Sequence, residues 1–192
     1  MTTDLLPAIE LETAADPDAA VIWLHGLGAD GNDFVPIVEE MTLPSASRLR
    51  FVFPHAPVRP VTLNNGFPMR AWYDLYAADL GRRADMAGVH ESQHHVEALI
   101  ARERARGIAA RRIVLAGFSQ GGVIALHTGL RHAERLAGIV ALSTYLVQPE
   151  RLAADASAVN CELPIFMAHG TQDPVVRPDW GEASRRALEA DG

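Results

Sequence analysis

The sequence of 192 residues contains no lysine, so all 17 of its basic residues are arginines. This absence excludes Schiff-base chemistry, a lysine-activated nucleophile and the phosphate-binding lysine of a P-loop. A single cysteine, Cys161, excludes a disulfide within the chain and a metal site built on several cysteines. We expect Cys161 to be a packed thiol, because free cysteine is among the most buried residue types.

Positive charge and long apolar runs are also scarce. The net charge of -7 argues against binding to nucleic acid or to an anionic membrane by general electrostatics. No stretch approaches the roughly 18–20 apolar residues that a membrane span needs, and the first 12 residues do not resemble a signal peptide. We therefore expect a cytoplasmic protein without nucleic-acid partners and without stable membrane insertion.

Short apolar runs alternate with amphipathic stretches along the whole chain. With 48% hydrophobic residues, the pattern predicts one α/β domain over 1–192, a mostly parallel sheet flanked by helices. The predicted strands cover 8–12, 20–25, 49–54, 112–117, 138–143 and 164–169. The predicted helices cover 33–41, 85–106, 119–130 and 178–190.

Residues 54–81 break this alternation. They hold four prolines, the turn signal Asn64-Asn65-Gly66 and several aromatic residues, among them Trp72 and Tyr73. A loop of this length in a compact domain is usually functional or disordered, and the aromatic content favours a functional loop.

Ser119 lies in the pattern G-x-S-x-G, formed by GFSQG at 117–121. The pattern directly follows a predicted strand and precedes a predicted helix, which is the setting of a nucleophile elbow. The glycines at its two ends leave room for a strained turn that exposes the serine Oγ. We therefore predict that Ser119 is a nucleophile on an α/β-hydrolase scaffold; the alternative is a glycine-rich turn with a surface serine.

Asp173 is the outstanding partner for this serine. It follows the predicted strand 164–169, at the carboxyl end where α/β sheets place their sites. A triad on this scaffold runs Ser, then Asp or Glu, then His, so Asp173 would orient an imidazole. The alternative is an ordinary Asp-Pro turn.

The loop HGLGADG at 25–31 follows the second predicted strand. Such a loop supplies one amide of an oxyanion hole, and the residue after the nucleophile supplies the other. We assign the backbone amides of Leu27 and Gln120. The same glycines imitate a dinucleotide fingerprint, but the acidic ribose partner expected about 20 residues later is missing.

None of the eight histidines stands where a triad base is expected, because residues 174–192 contain no histidine. His169 is tied too closely to the Asp173 turn, and for His25, His127 and the other five a structural or surface role is favoured. We expect that the sequence is incomplete at its C-terminus, lacking a last strand and helix and leaving a bare sheet edge. The alternative is an inactive hydrolase.

Five motifs together resemble the phospholipase/carboxylesterase family, which includes acyl-protein thioesterases and lysophospholipases. They are LHGLGADG at 24–31, PHAPVRPVTLNNG at 54–66, MRAWYD at 69–74, GFSQGG at 117–122 and HGTQDPVV at 169–176. The resemblance implies a cofactor-free hydrolase of carboxylic esters or thioesters with short to medium acyl chains. It also implies a nucleophile at Ser119, an acid at Asp173, oxyanion amides at Leu27 and Gln120, and an acyl-binding wall around Trp72 and Tyr73.

The sequence leaves two rival functions and one partner open. A catalytically inactive acyl-binding protein would keep the pocket without the base. A cysteine-nucleophile hydrolase is disfavoured, because the elbow holds Ser119 while Cys161 lies in a predicted loop. Besides a small acyl ester or thioester, the partner that we consider is a second copy of the chain packed against the aromatic loop. We expect no cofactor and no metal.

Overall fold

The computed structural model describes residues 5–76 and 84–191, and their centre is a six-stranded sheet. The strand order is β1-β3-β2-β6-β7-β8, in which β1 runs antiparallel to β3 and the other neighbours are parallel. The strands are β1 (Ala8–Glu12), β2 (Ala19–Leu24), β3 (Leu49–Pro54), β6 (Ile113–Phe118), β7 (Gly138–Leu142) and β8 (Ile165–Ala168).

The register brings the carboxyl ends of four strands to one edge. Leu24 pairs with Gly117, Phe118 with Leu142, and Leu142 with Ala168. The residues that follow β2, β6, β7 and β8 therefore begin at the same level of the sheet. This edge is where parallel α/β sheets place their functional groups.

Both faces of the sheet are covered, because side chains of a strand point alternately to opposite sides. In β2, Ile22 and Leu24 belong to the larger core cluster, whereas Trp23 belongs to a smaller cluster on the other face. Trp23 stacks on Phe34 at a centroid distance of 5.1 Å, just before the short helix α1 (Val35–Glu40).

The larger core is covered by α2 (Met86–Ala105), α3 (Gln120–Arg131) and α5 (Pro178–Asp191), with the short α4 (Leu152–Asp155) at its rim. Asp85 caps α2 by accepting the amide N–H of Gly88 at 3.0 Å. Helix α3 is buried along almost its whole length, which explains its continuous apolar sequence.

The predicted elements agree with the observed ones to within one or two residues, apart from the segment 54–81. This segment folds into an antiparallel hairpin of β4 (Val58–Val61) and β5 (Phe67–Arg70), whose turn contains Asn65 and Gly66 at positive φ. Pro60 and Pro68 lie opposite each other; both strands are edges of a two-stranded ladder, where proline is tolerated. Residues 77–81 lie outside the described residues.

Strand β8 pairs with β7 alone among the described residues and forms one edge of the sheet, as β1 forms the other. Phe166 in this strand is 62% exposed. The expectation of a packed thiol was wrong, because Cys161 is exposed in the turn after a 3₁₀ segment. None of the described helices is both long enough and apolar enough to cross a bilayer.

His127 is a buried histidine inside α3. Neither ring nitrogen has a hydrogen-bond partner within the described part of the chain, and the ring lies 5.5 Å from that of His90. Burial, with smaller contributions from Arg131 and His90, lowers the pKa of His127 to about 3. The folded protein therefore holds this ring neutral, whereas the unfolded chain protonates it near pH 6.5.

The pH dependence of stability should report this ring. Between about pH 6.5 and pH 3 the unfolded state binds more protons than the folded state. The free energy of unfolding should therefore fall as the pH is lowered through this range, at up to about 1.4 kcal/mol per pH unit for this group. We expect the slope to flatten in His127→Leu, measured by urea unfolding at several pH values. His94→Gln, on the exposed face of α2, controls for the loss of a histidine, and an unchanged slope in His127→Leu would contradict the prediction.

Candidate active site

Ser119 occupies a strained turn between β6 and α3. Its φ of 52° and ψ of -118° lie in a region that residues with a side chain rarely adopt. Two hydrogen bonds hold the turn: the N–H of Ser119 donates to Leu142 O at 2.9 Å, and Ser119 O accepts from Thr144 Oγ1 at 2.8 Å. Its Oγ has no hydrogen-bond partner among the described residues, so the hydroxyl is free to react.

The two glycines of the motif let this turn form. A Cβ on Gly121 would lie 2.3 Å from Leu24 O and 2.5 Å from His25 O, and a Cβ on Gly117 would lie 2.4 Å from Gly121 O. The start of α3 therefore touches the end of β2 through backbone atoms alone. No larger residue fits at either position without moving the chain.

A cavity of about 620 Å³ opens beside Ser119. Three of the predicted site residues besides Ser119 line it: Leu27, Tyr73 and Gln120. The other lining residues come from several parts of the fold and are mostly apolar: Leu63, Leu75, Tyr145, Pro174, Val175, Val176, Arg177 and Trp180. The size and lining suit one acyl group of moderate length.

The loop after β2 brings Leu27 to this cavity. Gly28 takes a positive φ of 76° and donates its N–H to Arg70 O of β5 at 2.9 Å, which ties the loop to the hairpin. Within the described part of the chain, the N–H groups of Leu27 and Gln120 donate to no other residue. Unpaired backbone amides of this kind can donate hydrogen bonds to a bound oxygen.

Gln120 joins the elbow to the aromatic segment. Its buried side chain accepts the N–H of Trp72 at 2.8 Å through Oε1 and donates to Tyr73 O at 2.7 Å through Nε2. Trp72 is not among the cavity-lining residues; its fully buried ring donates from Nε1 to His25 O at 2.9 Å. Of the two aromatic residues predicted to bind substrate, Tyr73 lines the cavity and Trp72 lies behind it.

His25 has a structural position in this network. Its Nδ1 lies 2.7 Å from Gly26 O and its Nε2 accepts the N–H of Ala56 at 3.1 Å, which fixes the tautomer with the proton on Nδ1. Burial lowers the pKa of this imidazole, so the ring is neutral. His25 therefore holds the loop in place.

Asp173 lies in the turn after β8, next to three residues that line the cavity: Pro174, Val175 and Val176. Its Oδ1 accepts the N–H groups of Val175 at 2.9 Å and Val176 at 3.0 Å, while Oδ2 lies 3.7 Å from His169 Nε2. That nitrogen also lies 2.8 Å from Val176 O, so it donates to this carbonyl. His169 is thus fixed within the turn, as its sequence position indicated.

All eight histidines are described, and none of them lines the cavity beside Ser119. His55 accepts the N–H of Gly31 at 3.0 Å, and His132 contacts Glu97 at 2.7 Å. His90, His94, His95 and His127 belong to α2 and α3. In the described ranges, no group of three or more His, Cys, Asp or Glu residues is arranged to hold a metal ion.

Sequence reasoning missed the cavity residues that follow β7 and begin α5. Tyr145 and Trp180 pack edge to face at 5.9 Å, and Thr144 supports the carbonyl of Ser119. No motif marks these positions. The one available signal was their place after strands 138–143 and 164–169, at the functional edge of the sheet.

Comparison with known proteins agrees with this architecture. The family model described as Phospholipase/Carboxylesterase matches residues 7–191. Acyl-protein thioesterase 1 of Yarrowia lipolytica is 40% identical over 183 residues, covering 93% of this chain and 80% of the relative; its Neurospora crassa counterpart is 41% identical over 196 residues, covering 98% and 78%. The crystal structure of Zea mays acyl-protein thioesterase 2 superimposes with a TM-score of 0.82 at 31% identity, covering 97% of this chain and 85% of that one.

A parallel sheet with a serine elbow at its carboxyl edge defines an α/β hydrolase. The chain belongs to the phospholipase/carboxylesterase family. It is accordingly a hydrolase, as the resemblance implied.

Crowding at the elbow yields a stability prediction. Gly121→Ala places a methyl group against backbone carbonyls that cannot move independently, so we expect a loss of about 1–3 kcal/mol in the free energy of unfolding. Gly170→Ala is the matched control, because its Cβ meets nothing closer than 3.9 Å. Equal stability of the two variants in chemical denaturation would contradict the close approach described above.

Proposed function

We propose that Ser119 is the nucleophile of a two-step acyl transfer to water. The observation that carries this proposal is the unpaired Ser119 hydroxyl on a strained turn, beside a mostly apolar cavity that is also lined by Leu27 and Gln120, whose amides are unpaired in the described residues. In the first step Oγ attacks the acyl carbonyl and its proton passes to an imidazole. The carbonyl oxygen becomes an oxyanion, which accepts hydrogen bonds from the amides of Leu27 and Gln120.

The tetrahedral intermediate then collapses. The bond from carbon to the leaving oxygen or sulfur breaks, and the imidazolium returns its proton to the leaving group. Water repeats the sequence on the acyl-enzyme, which releases the carboxylic acid and restores Ser119. The role of Asp173 is to accept the Nδ1–H of the imidazole and to stabilise its charged form.

In this proposal the base is an imidazole other than those of the eight histidines in this sequence, none of which lines the cavity. His169 is engaged with Val176 O, His25 with two backbone groups, and the others lie away from the cavity. Asp173 Oδ2 accepts no hydrogen bond from a backbone N–H in the described residues, which leaves this oxygen for an added imidazole. The proposal therefore separates what the chain supplies, a nucleophile and oxyanion donors, from the base that it needs.

Three finer points remain proposals. The relatives named thioesterases suggest an acyl thioester as substrate, while the leaving group is not specified by the cavity. We place the reaction in the cytoplasm. A homodimer through the β4–β5 hairpin is supported by the exposure of Phe67 and Val58, at 67% and 61%.

The nucleophile is tested by hydrolysis of p-nitrophenyl butyrate. We expect a burst of p-nitrophenol that disappears in Ser119→Ala and persists in Ser45→Ala, a substitution of an exposed loop serine. Without a base, oxyanion stabilisation and binding should leave the wild-type rate about 10³–10⁴-fold above that of water. An unchanged burst in Ser119→Ala would refute the assignment, and ester binding with no Ser119-dependent turnover would favour the inactive acyl-binding protein.

The missing base is tested by adding imidazole to the solution. If Oγ lacks only a proton acceptor, imidazole should increase the Ser119-dependent rate by about 10- to 100-fold, a part of what a positioned base contributes. Because imidazole alone hydrolyses activated esters, the rate of Ser119→Ala at the same imidazole concentration is subtracted. In Asp173→Asn the increase should shrink, and equal rescue in both proteins would contradict the role of Asp173.

A further inference from the structure

Two buried tyrosines line the cavity beside Ser119. Among the lining residues, Leu63 and Val175 are 41% and 67% exposed, so they belong to the mouth. Tyr73 and Tyr145 are only 1% and 5% exposed. The buried side of the cavity thus includes this pair, together with Gln120 and Val176, which are 3% and 2% exposed.

The hydroxyl groups of the pair hold each other. Tyr73 Oη and Tyr145 Oη lie 3.1 Å apart, and neither has another partner in the described residues. Burial raises the pKa of both phenols, so both are neutral at physiological pH. Opening the pair would leave two hydroxyls unpaired in the interior, which opposes any widening of the cavity at this point.

The backbone and ring contacts hold each tyrosine in place as well. Tyr73 O accepts from Gln120 Nε2 at 2.7 Å. On the other side, Trp180 packs edge to face against Tyr145, and Ser184 Oγ accepts the N–H of Leu146 at 2.8 Å while donating to Trp180 O at 2.7 Å. The wall is therefore fixed from α3 on one side and from α5 on the other.

We propose that the Tyr73–Tyr145 pair ends the acyl site and sets the longest acyl chain that the site accommodates. This inference rests on the proposed function, in which the acyl carbonyl lies at Ser119. From there an acyl chain extends between apolar side chains until it meets the pair. Each methylene that enters should increase affinity about fourfold, and methylenes beyond the wall should add little because they stay in water.

Fatty-acid binding tests the wall without requiring catalysis. Dissociation constants are measured for saturated fatty acids from butanoate to hexadecanoate, by displacement of a fluorescent fatty acid. In wild type the affinity should rise with chain length and then level off. In Tyr145→Ala the plateau should move to chains several methylenes longer, with more than about tenfold tighter binding of the longest acids.

Two control variants test whether the effect of Tyr145→Ala comes from loss of the Tyr145 ring, rather than from loss of its hydroxyl or from loss of any tyrosine. Tyr145→Phe keeps the ring and should keep the wild-type plateau. Tyr76→Ala removes an exposed tyrosine that does not line the cavity and should also keep it. If Tyr145→Ala fails to fold by circular dichroism, Tyr145→Leu, which shortens the side chain less drastically, should move the plateau in the same direction.

The outcomes for the wall and for the proposed function are distinguishable. If the plateau does not move in Tyr145→Ala or Tyr145→Leu, or if wild type binds no fatty acid, the proposal that the tyrosine pair ends the acyl site is contradicted. A shifted plateau without Ser119-dependent hydrolysis would support the wall and contradict the proposed function alone.

Discussion

The contact between the start of α3 and the end of β2 determines the geometry of the whole site. At this point the backbone of Gly121 approaches the carbonyl oxygens of Leu24 and His25 more closely than any side chain would allow. The approach bends the chain at Ser119 into a conformation that is unfavourable by itself, and the hydrogen bonds from Thr144 and to Leu142 offset part of this cost. It also places the Gln120 amide at the cavity, close to the loop that carries Leu27.

A network of buried hydrogen bonds connects the turn at Ser119 to the wall of the cavity. The Gln120 side chain fixes the backbone of Trp72 and Tyr73, the Trp72 indole fixes His25 O, and His25 fixes the turn at Gly26. Gln120, whose backbone amide we propose as an oxyanion donor, thus also positions a cavity wall through its side chain. Such buried polar networks hold a single arrangement because every unpaired member would be costly.

The sequence predicted the sheet and its flanking helices because short apolar runs alternate with longer helix-like stretches along the chain. It also predicted the turn at Asn65 and Gly66, since both residues tolerate positive φ. It did not predict the hairpin of β4 and β5, because prolines at 60 and 68 lower the strand propensity that a search for apolar alternation detects.

The residues of the candidate site also fall into those that the sequence indicates and those that only the fold reveals. Ser119, Asp173 and Leu27 could be proposed from the sequence because a local motif with a steric or electrostatic cause marks each of them. Tyr145 and Trp180 could not, because their roles arise where the segments after β7 and β8 meet in three dimensions. The Trp72 ring could not be distinguished from that of Tyr73 either: the two are neighbours in sequence, and burial alone decides which of them reaches the cavity.

The central claim is that the turn at Ser119 presents its hydroxyl together with two backbone amides to one acyl carbon. A crystal structure of the protein bound to a short alkyl trifluoromethyl ketone tests this arrangement directly. The account predicts a tetrahedral adduct on Ser119 Oγ, with its oxyanion about 2.7–3.1 Å from the amide nitrogens of Leu27 and Gln120 and its alkyl group in the cavity. An adduct on another residue, or an oxyanion directed away from both amides, would contradict it.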